Sequence, residues 1–159
     1  MRGRRGCRAA SLLLAASLLS AGAPAGAHTG ARFYRGDVSV STQWEGVIRL
    51  TGTVVIRAGA TVTVDPGTEV LVQPGGGVDI VVQGRLLVRG LPGRPVVFDT
   101  AGGCGAGPWG GIVFEKGSTG IFENARVRCS TRGIGGDVTG VARTGVVVSP
   151  FPPGAGSPP

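Results

Sequence analysis

Residues 52–90, GTVVIRAGATVTVDPGTEVLVQPGGGVDIVVQGRLLVRG, decide the fold. Apolar residues recur at every second position, in the pairs Val54/Ile56, Val62/Val64, Val70/Val72, Ile80/Val82 and Leu86/Val88, and a Gly or Pro-Gly follows each pair. A period of two is that of a strand with one buried face, and the Gly and Pro-Gly punctuation cuts the chain into very short strands joined by corners. The stretch therefore specifies an architecture, and it carries no catalytic constellation.

Comparing positions along the chain reveals an internal repeat. Val54 to Ile80 spans 26 residues, Val62 to Leu86 spans 24 and Val70 to Val96 spans 26. A step of about 25 residues holding three strands is the signature of a solenoid. Three short strands and three corners make one triangular coil, and the next coil lays each strand parallel to the one below at ~4.8 Å. The inward set Val54, Ile56, Val62, Val64, Val70 and Val72 is expected to stack on Ile80, Val82, Leu86, Val88, Val96 and Phe98. A third coil is drawn through Ile112/Phe114, Ile121 and Val127, with residues 100–109 as an inserted loop. Pro66-Gly67 and Pro74-Gly75 suit turns in which Pro fixes φ and Gly takes the positive-φ position, and Gly59, Gly84 and Gly90 suit tight bends. An antiparallel β-sandwich also uses short strands and Gly/Pro turns, but it has no need of this repeat, so the solenoid is preferred.

Working outward, Trp44 opens the repeat and Val47 to Leu50 form its first strand, closed by Gly52. Residues 28–43 form a polar lead-in whose Phe33 and Tyr34 are expected to cover the open end of the solenoid, where strand edges and core would otherwise meet water. The β-helix region is set at 44–149, with a last strand at Val146 to Val148 and a Pro/Gly/Ser-rich disordered tail at 150–159. Residues 1–27 have a basic start, an apolar middle and Ala25-Gly26-Ala27, the pattern of a cleaved secretory signal peptide. The apolar run is shorter than the ~20 residues of a spanning helix, and no later stretch is long enough, so no stable membrane insertion is expected.

The formal charge of +7 shrinks to +3 once Arg2, Arg4, Arg5 and Arg8 leave with the signal peptide. That balance gives only modest steering of anions, and the absence of a recognition helix or basic-aromatic platform argues against nucleic acid. With 31 Gly and 11 Pro among 159 residues, the chain needs many corners, which favours all-β structure. Of its three cysteines, Cys7 lies in the signal peptide. Cys104 and Cys129, about one coil apart, are expected to form a disulfide in an exported chain. Two cysteines without histidine partners are too few for a closed zinc site. His28, which cleavage would place at the N-terminus, has no second His to complete a copper site.

Three pieces, QWEGVIRLTGTVVIRAGATVTVDPGTEVLVQ, VDIVVQGRLLVRGLPGRPVVFDT and GPWGGIVFEKGS, resemble the secreted right-handed parallel β-helix repeat proteins of bacteria. The matching motifs are Gly59 to Thr68, Gly84 to Gly90, Pro95 to Phe98 and Trp109 to Phe114, within roughly residues 44–130. The resemblance implies an all-β, right-handed parallel β-helix, here of about three coils, in the periplasm, on the cell surface or secreted. The motifs it rests on are corners and core, so it implies little about activity. Polysaccharide lyases of this fold combine a calcium-binding carboxylate cluster with an Arg or Lys base, and related hydrolases use close Asp pairs.

Here no Asp-Asp pair or Asp-x-Asp triplet occurs, and the calcium-binding glycine-aspartate repeats of other β-helices are missing. Neither a cofactor nor a metal is assigned, and no residue is named as catalytic. Asp65 and Glu69 flank the Pro66-Gly67 corner, and the repeat brings Arg89 above it as a basic partner, though isolated surface charges are ordinary. Trp109 either stacks on a sugar or packs at a corner, and packing is the commoner fate of a large aromatic. Thr51/Thr53 and Thr61/Thr63 hint at a threonine ladder, which Arg85 and Leu87 break one coil later. Asp65, Glu69, Arg89 and Trp109 are the ligand-binding candidates. The function expected is a non-catalytic structural or adhesive module that binds a polysaccharide or a cell-surface protein. The alternatives are a fragment or degenerate member of a carbohydrate-active β-helix enzyme, a polysaccharide lyase or hydrolase, and a module that self-associates end to end through its open coil.

Overall fold

The computed structural model describes residues 30–152. The signal peptide reading, His28 and most of the tail lie outside the described residues. Fourteen strands follow one another: β1 (Arg32–Val38), β2 (Thr42–Trp44), β3 (Val47–Ile56), β4 (Thr61–Val64), β5 (Glu69–Val72), β6 (Asp79–Val82), β7 (Arg85–Arg89), β8 (Val96–Thr100), β9 (Gly111–Phe114), β10 (Thr119–Glu123), β11 (Ala125–Ser130), β12 (Ile134–Gly136), β13 (Val141–Thr144) and β14 (Val147–Pro150). A single short 3-10 turn, Cys104–Ala106, is the helical exception among the described residues.

Every strand pairing is parallel, in a nearly closed arrangement. One sheet runs β12-β9-β6-β3-β5-β8-β11-β14 with β1 on β3, and the other runs β13-β10-β7-β4-β2. The longer sheet bends at β3, whose first half pairs with β5 (Ile48 with Val70) and whose second half pairs with β6 (Val54 with Ile80). The strands thus fall into three rows: β3's second half with β6, β9 and β12, its first half with β5, β8, β11 and β14, and the separate row β2, β4, β7, β10 and β13. From β2 onward, the chain visits the rows in a fixed rotation. The separate row holds five strands, more than the three coils expected.

The inward residues are those the alternation selects. Val54, Ile56, Val62, Val64, Val70, Val72, Ile80, Val82, Leu86, Val88, Val96 and Phe98 are all fully buried. Complete burial of one such aliphatic side chain is worth roughly 1.5–3 kcal/mol, so this stacked interior is the main source of stability. Trp44 and Trp109 are its largest members, and both are fully buried. The Trp109 indole Nε1 donates to the Arg128 carbonyl at 2.7 Å, whereas Trp44 Nε1 has no partner among the described residues. Tyr34 tilts against Trp44 with ring centroids 5.2 Å apart, while Phe33 stays 65% exposed.

Three expectations need correction. The first strand does not stop at Gly52, because β3 continues to Ile56 and changes rows at that glycine. Val70 pairs with Phe98 rather than Val96. The extra residues are taken up by Leu91–Arg94, a tight turn whose ends hydrogen-bond each other in both directions. Ile121 points outward and is 39% exposed, and Phe122 takes the inward place. Gly120 shares that face because a Cβ there would lie 2.6 Å from the Phe114 ring.

Two glycines show separate reasons for being glycine. Gly67 adopts φ +80°, a left-handed conformation that side chains disfavour, and so turns the corner after Pro66. Gly90 has no such φ, but a Cβ there would collide with the Asn124 carbonyl of the next pass. Among the described residues, no helix is long and apolar enough to cross a membrane.

Candidate functional site

The four candidates drawn from sequence do not form one site. Trp109 is fully buried in the core, so its ring offers no face to a sugar, and the corner-packing alternative holds. Asp65 follows β4, where its carboxylate accepts a hydrogen bond from Gln43 Nε2 at 2.5 Å. Val64 pairs with Val88, which carries Arg89 above Asp65 as the repeat implied. Yet no ion pair among the described residues joins Arg89 to Asp65 or Glu69. Arg89 lies in register with Glu123 instead, and Glu69 opens β5 on a different row.

The carboxylates that are paired are held singly. Arg32 binds Glu45 at 2.9 Å, Arg57 binds Asp37 at 2.6 Å, Arg132 binds Asp79 at 3.0 Å and Arg128 binds Asp99 at 3.3 Å. A general acid at neutral pH needs a carboxyl pushed up by burial or by a second carboxylate. Asp137 is moved the other way: a hydrogen bond from the Thr139 hydroxyl, and a second from its backbone N–H, lower its pKa from the ordinary aspartate value.

Cys104 and Cys129 form the expected disulfide, with Cα atoms 5.1 Å apart, tying the 100–109 insertion to the end of β11. Asp99 completes the one group of metal-ligating side chains among the described residues, with ligand atoms within 4.8 Å of one another. With both sulfurs bonded to each other, that group offers a cation only a carboxylate that Arg128 already faces. This falls short of the four ligands of a structural zinc site.

Comparison of the chain with protein-family models, with curated proteins and with solved structures finds no match. The surface itself must supply the site.

The feature that sequence reasoning missed is a polar trough at the corner between the β3-β6-β9 row and the β4-β7-β10 row. It has a volume of about 350 Å³ and is lined by Ala58 to Thr61, Gln83 to Arg85, Gly117 and Thr119. A second recess of about 290 Å³, lined by Ser41, Thr42, Gln43, Thr61 and Thr63, adjoins it through the shared Thr61. Register assembles this surface: Thr61 pairs with Arg85, and Arg85 pairs with Thr119. The broken threonine ladder expected from the sequence is therefore real, and the residue that breaks it stands at the centre of the trough.

Proposed function

We propose that this chain is an exported, non-catalytic right-handed parallel β-helix module, structural or adhesive in role, that presents its outer face to a glycan or a cell-surface partner. The observation that carries the reading is the arrangement of the carboxylates. Among the described residues four are tied to separate arginines, and the Asp65, Glu69 and Arg89 set is divided between rows, an arrangement unlike two free acids facing each other across a cleft. Retaining and inverting glycosidases need such a pair about 5–9.5 Å apart. A continuous buried core beside a polar trough fits a scaffold that holds a ligand. The fixed rotation through three rows, the parallel pairing and the stacked valines support the β-helix itself, and the disulfide suits an oxidising compartment.

End-to-end self-association is less well supported. At the β13 edge, Arg143 occupies the register position of inward-facing Phe122, and Pro150 ends β14. Inward charges and edge prolines are devices that discourage strand addition.

The test is to incubate the purified protein with a panel of polysaccharides while following both retention and chain length. Retention of at least one polysaccharide with unchanged chain length is expected. Depolymerisation abolished by Asp65→Ala or Arg89→Ala would overturn the non-catalytic reading.

A further inference from the structure

Resting on the binding role proposed above, we infer that the corner trough is the ligand site and that it takes an extended acidic polysaccharide, with Arg85 holding a sugar carboxylate. Arg85 is exposed at the start of β7, and its Nε donates to the Thr119 hydroxyl at 3.1 Å. That bond restrains the guanidinium, and among the described residues no hydrogen bond engages its two terminal NH2 groups. Among the described residues Arg85 has no carboxylate partner, unlike Arg32, Arg57, Arg128 and Arg132. No acidic side chain lines the trough or the adjoining recess. A planar fork with open donors in an acid-free hollow matches a carboxylate in bidentate geometry.

The rest of the lining selects the class of molecule. Thr61 and Thr63 present hydroxyls, which both donate and accept as sugar hydroxyls do, while Gln43, whose Nε2 donates to Asp65, offers its amide oxygen, and Gln83, whose Oε1 accepts from Arg57, offers its amide nitrogen. Gln43, Thr61 and Thr63, Arg85 and Thr119 lie on β2, β4, β7 and β10, successive strands of one row at the ~4.8 Å interstrand spacing, with Gln83 in the corner before β7, so an extended ligand running across the strands would meet them in turn. No aromatic side chain lines either hollow, so there is no stacking platform for bases, and a single guanidinium is too little charge for a polyphosphate backbone.

The experiment measures retention of polygalacturonate, of its methyl-esterified form and of a sulfated galactan by the folded protein and three variants. Arg85→Gln should weaken polygalacturonate binding about tenfold or more, the scale of one lost charge-assisted pair, and Arg85→Glu should abolish it. Arg49→Gln removes an exposed arginine on a different row and should leave binding unchanged. Because Arg85 is exposed, thermal melting of its variants should match that of the parent, which separates loss of binding from loss of fold. Esterified chains should bind as weakly as Arg85→Gln binds the acid form. Equal binding of the esterified chain, equal or tighter binding of the sulfated one, or an Arg49→Gln loss as large as that of Arg85→Gln would each overturn the assignment. Binding of some other glycan but not polygalacturonate would overturn this inference and leave the general binding role intact. Cleavage of polygalacturonate would overturn the non-catalytic role and leave the trough assignment standing.

Discussion

The middle passes of the chain and the last ones are built from similar sequence and end in different states. In β4, β6 and β7 every second residue is buried. In β13 and β14 none is, although Val141, Val147 and Val148 supply apolar residues there as well. The pair Val127 and Val148 isolates the cause. They are partners in register, yet Val127 is fully buried and Val148 is 39% exposed. Val127 has Phe98 on its other side, whereas among the described residues β14 pairs only with β11. In a stacked fold the buried face of a strand is made by its neighbours on both sides, so period-two alternation is necessary for burial and does not suffice for it. The disulfide sits at this boundary, tying the insertion after β8 to the end of β11, and beyond it burial falls away.

The largest expected effect is in the well-packed region. Trp109→Ala removes a fully buried ring together with the hydrogen bond to Arg128 O, so it should cost about 3–5 kcal/mol. Urea unfolding followed by circular dichroism measures this, and a loss below about 1 kcal/mol would mean that the middle passes are packed no better than the end. Next is the staple. Converting both Cys104 and Cys129 to Ala opens a loop with a sequence separation of 25, for which the chain-entropy argument gives about 3.5 kcal/mol. Amide exchange should quicken first in β12 and β14, on the C-terminal side of the boundary. Exchange quickening evenly along the chain would place the cooperative unit across the boundary rather than at it.

Much of this was legible in the sequence, for physical reasons that also explain what was not. Alternation fixes which side chains turn inward, and a constant step fixes register wherever the corners keep a constant length, as for Val54 on Ile80 and Val62 on Leu86. It fails where a corner absorbs extra residues. The turn at Leu91–Arg94 does so, and it moves Val70's partner from Val96 to Phe98 without any change in composition to announce it. At Ile121 volume outweighs hydrophobicity: the Phe114 ring already fills the space beside residue 120, so Gly120 and Phe122 share the inner face. The residue type of Trp109 suits a ligand-stacking role, while its burial depends on a 19-residue return of the chain to Arg128. The trough is the hardest kind of feature to foresee. Thr61, Arg85 and Thr119 carry no motif in linear order, and they become neighbours only through strand pairing.

The smallest expected effect lies at the far end and tests the comparison most directly. Val147 is 57% exposed on a strand with no buried residue, so Val147→Ser should change stability by less than about 0.5 kcal/mol. Val70→Ser exchanges the same side chains at a fully buried position between Ile48 and Phe98, where it both opens a cavity and buries a hydroxyl. The ratio of the two losses in one urea titration series therefore reports how much of the β-strand sequence has been converted into core. If Val147→Ser proved as costly as Val70→Ser, the exposed side of β14 would have to be covered in solution. Sedimentation of the parent and the variant would then show whether a second copy supplies the cover.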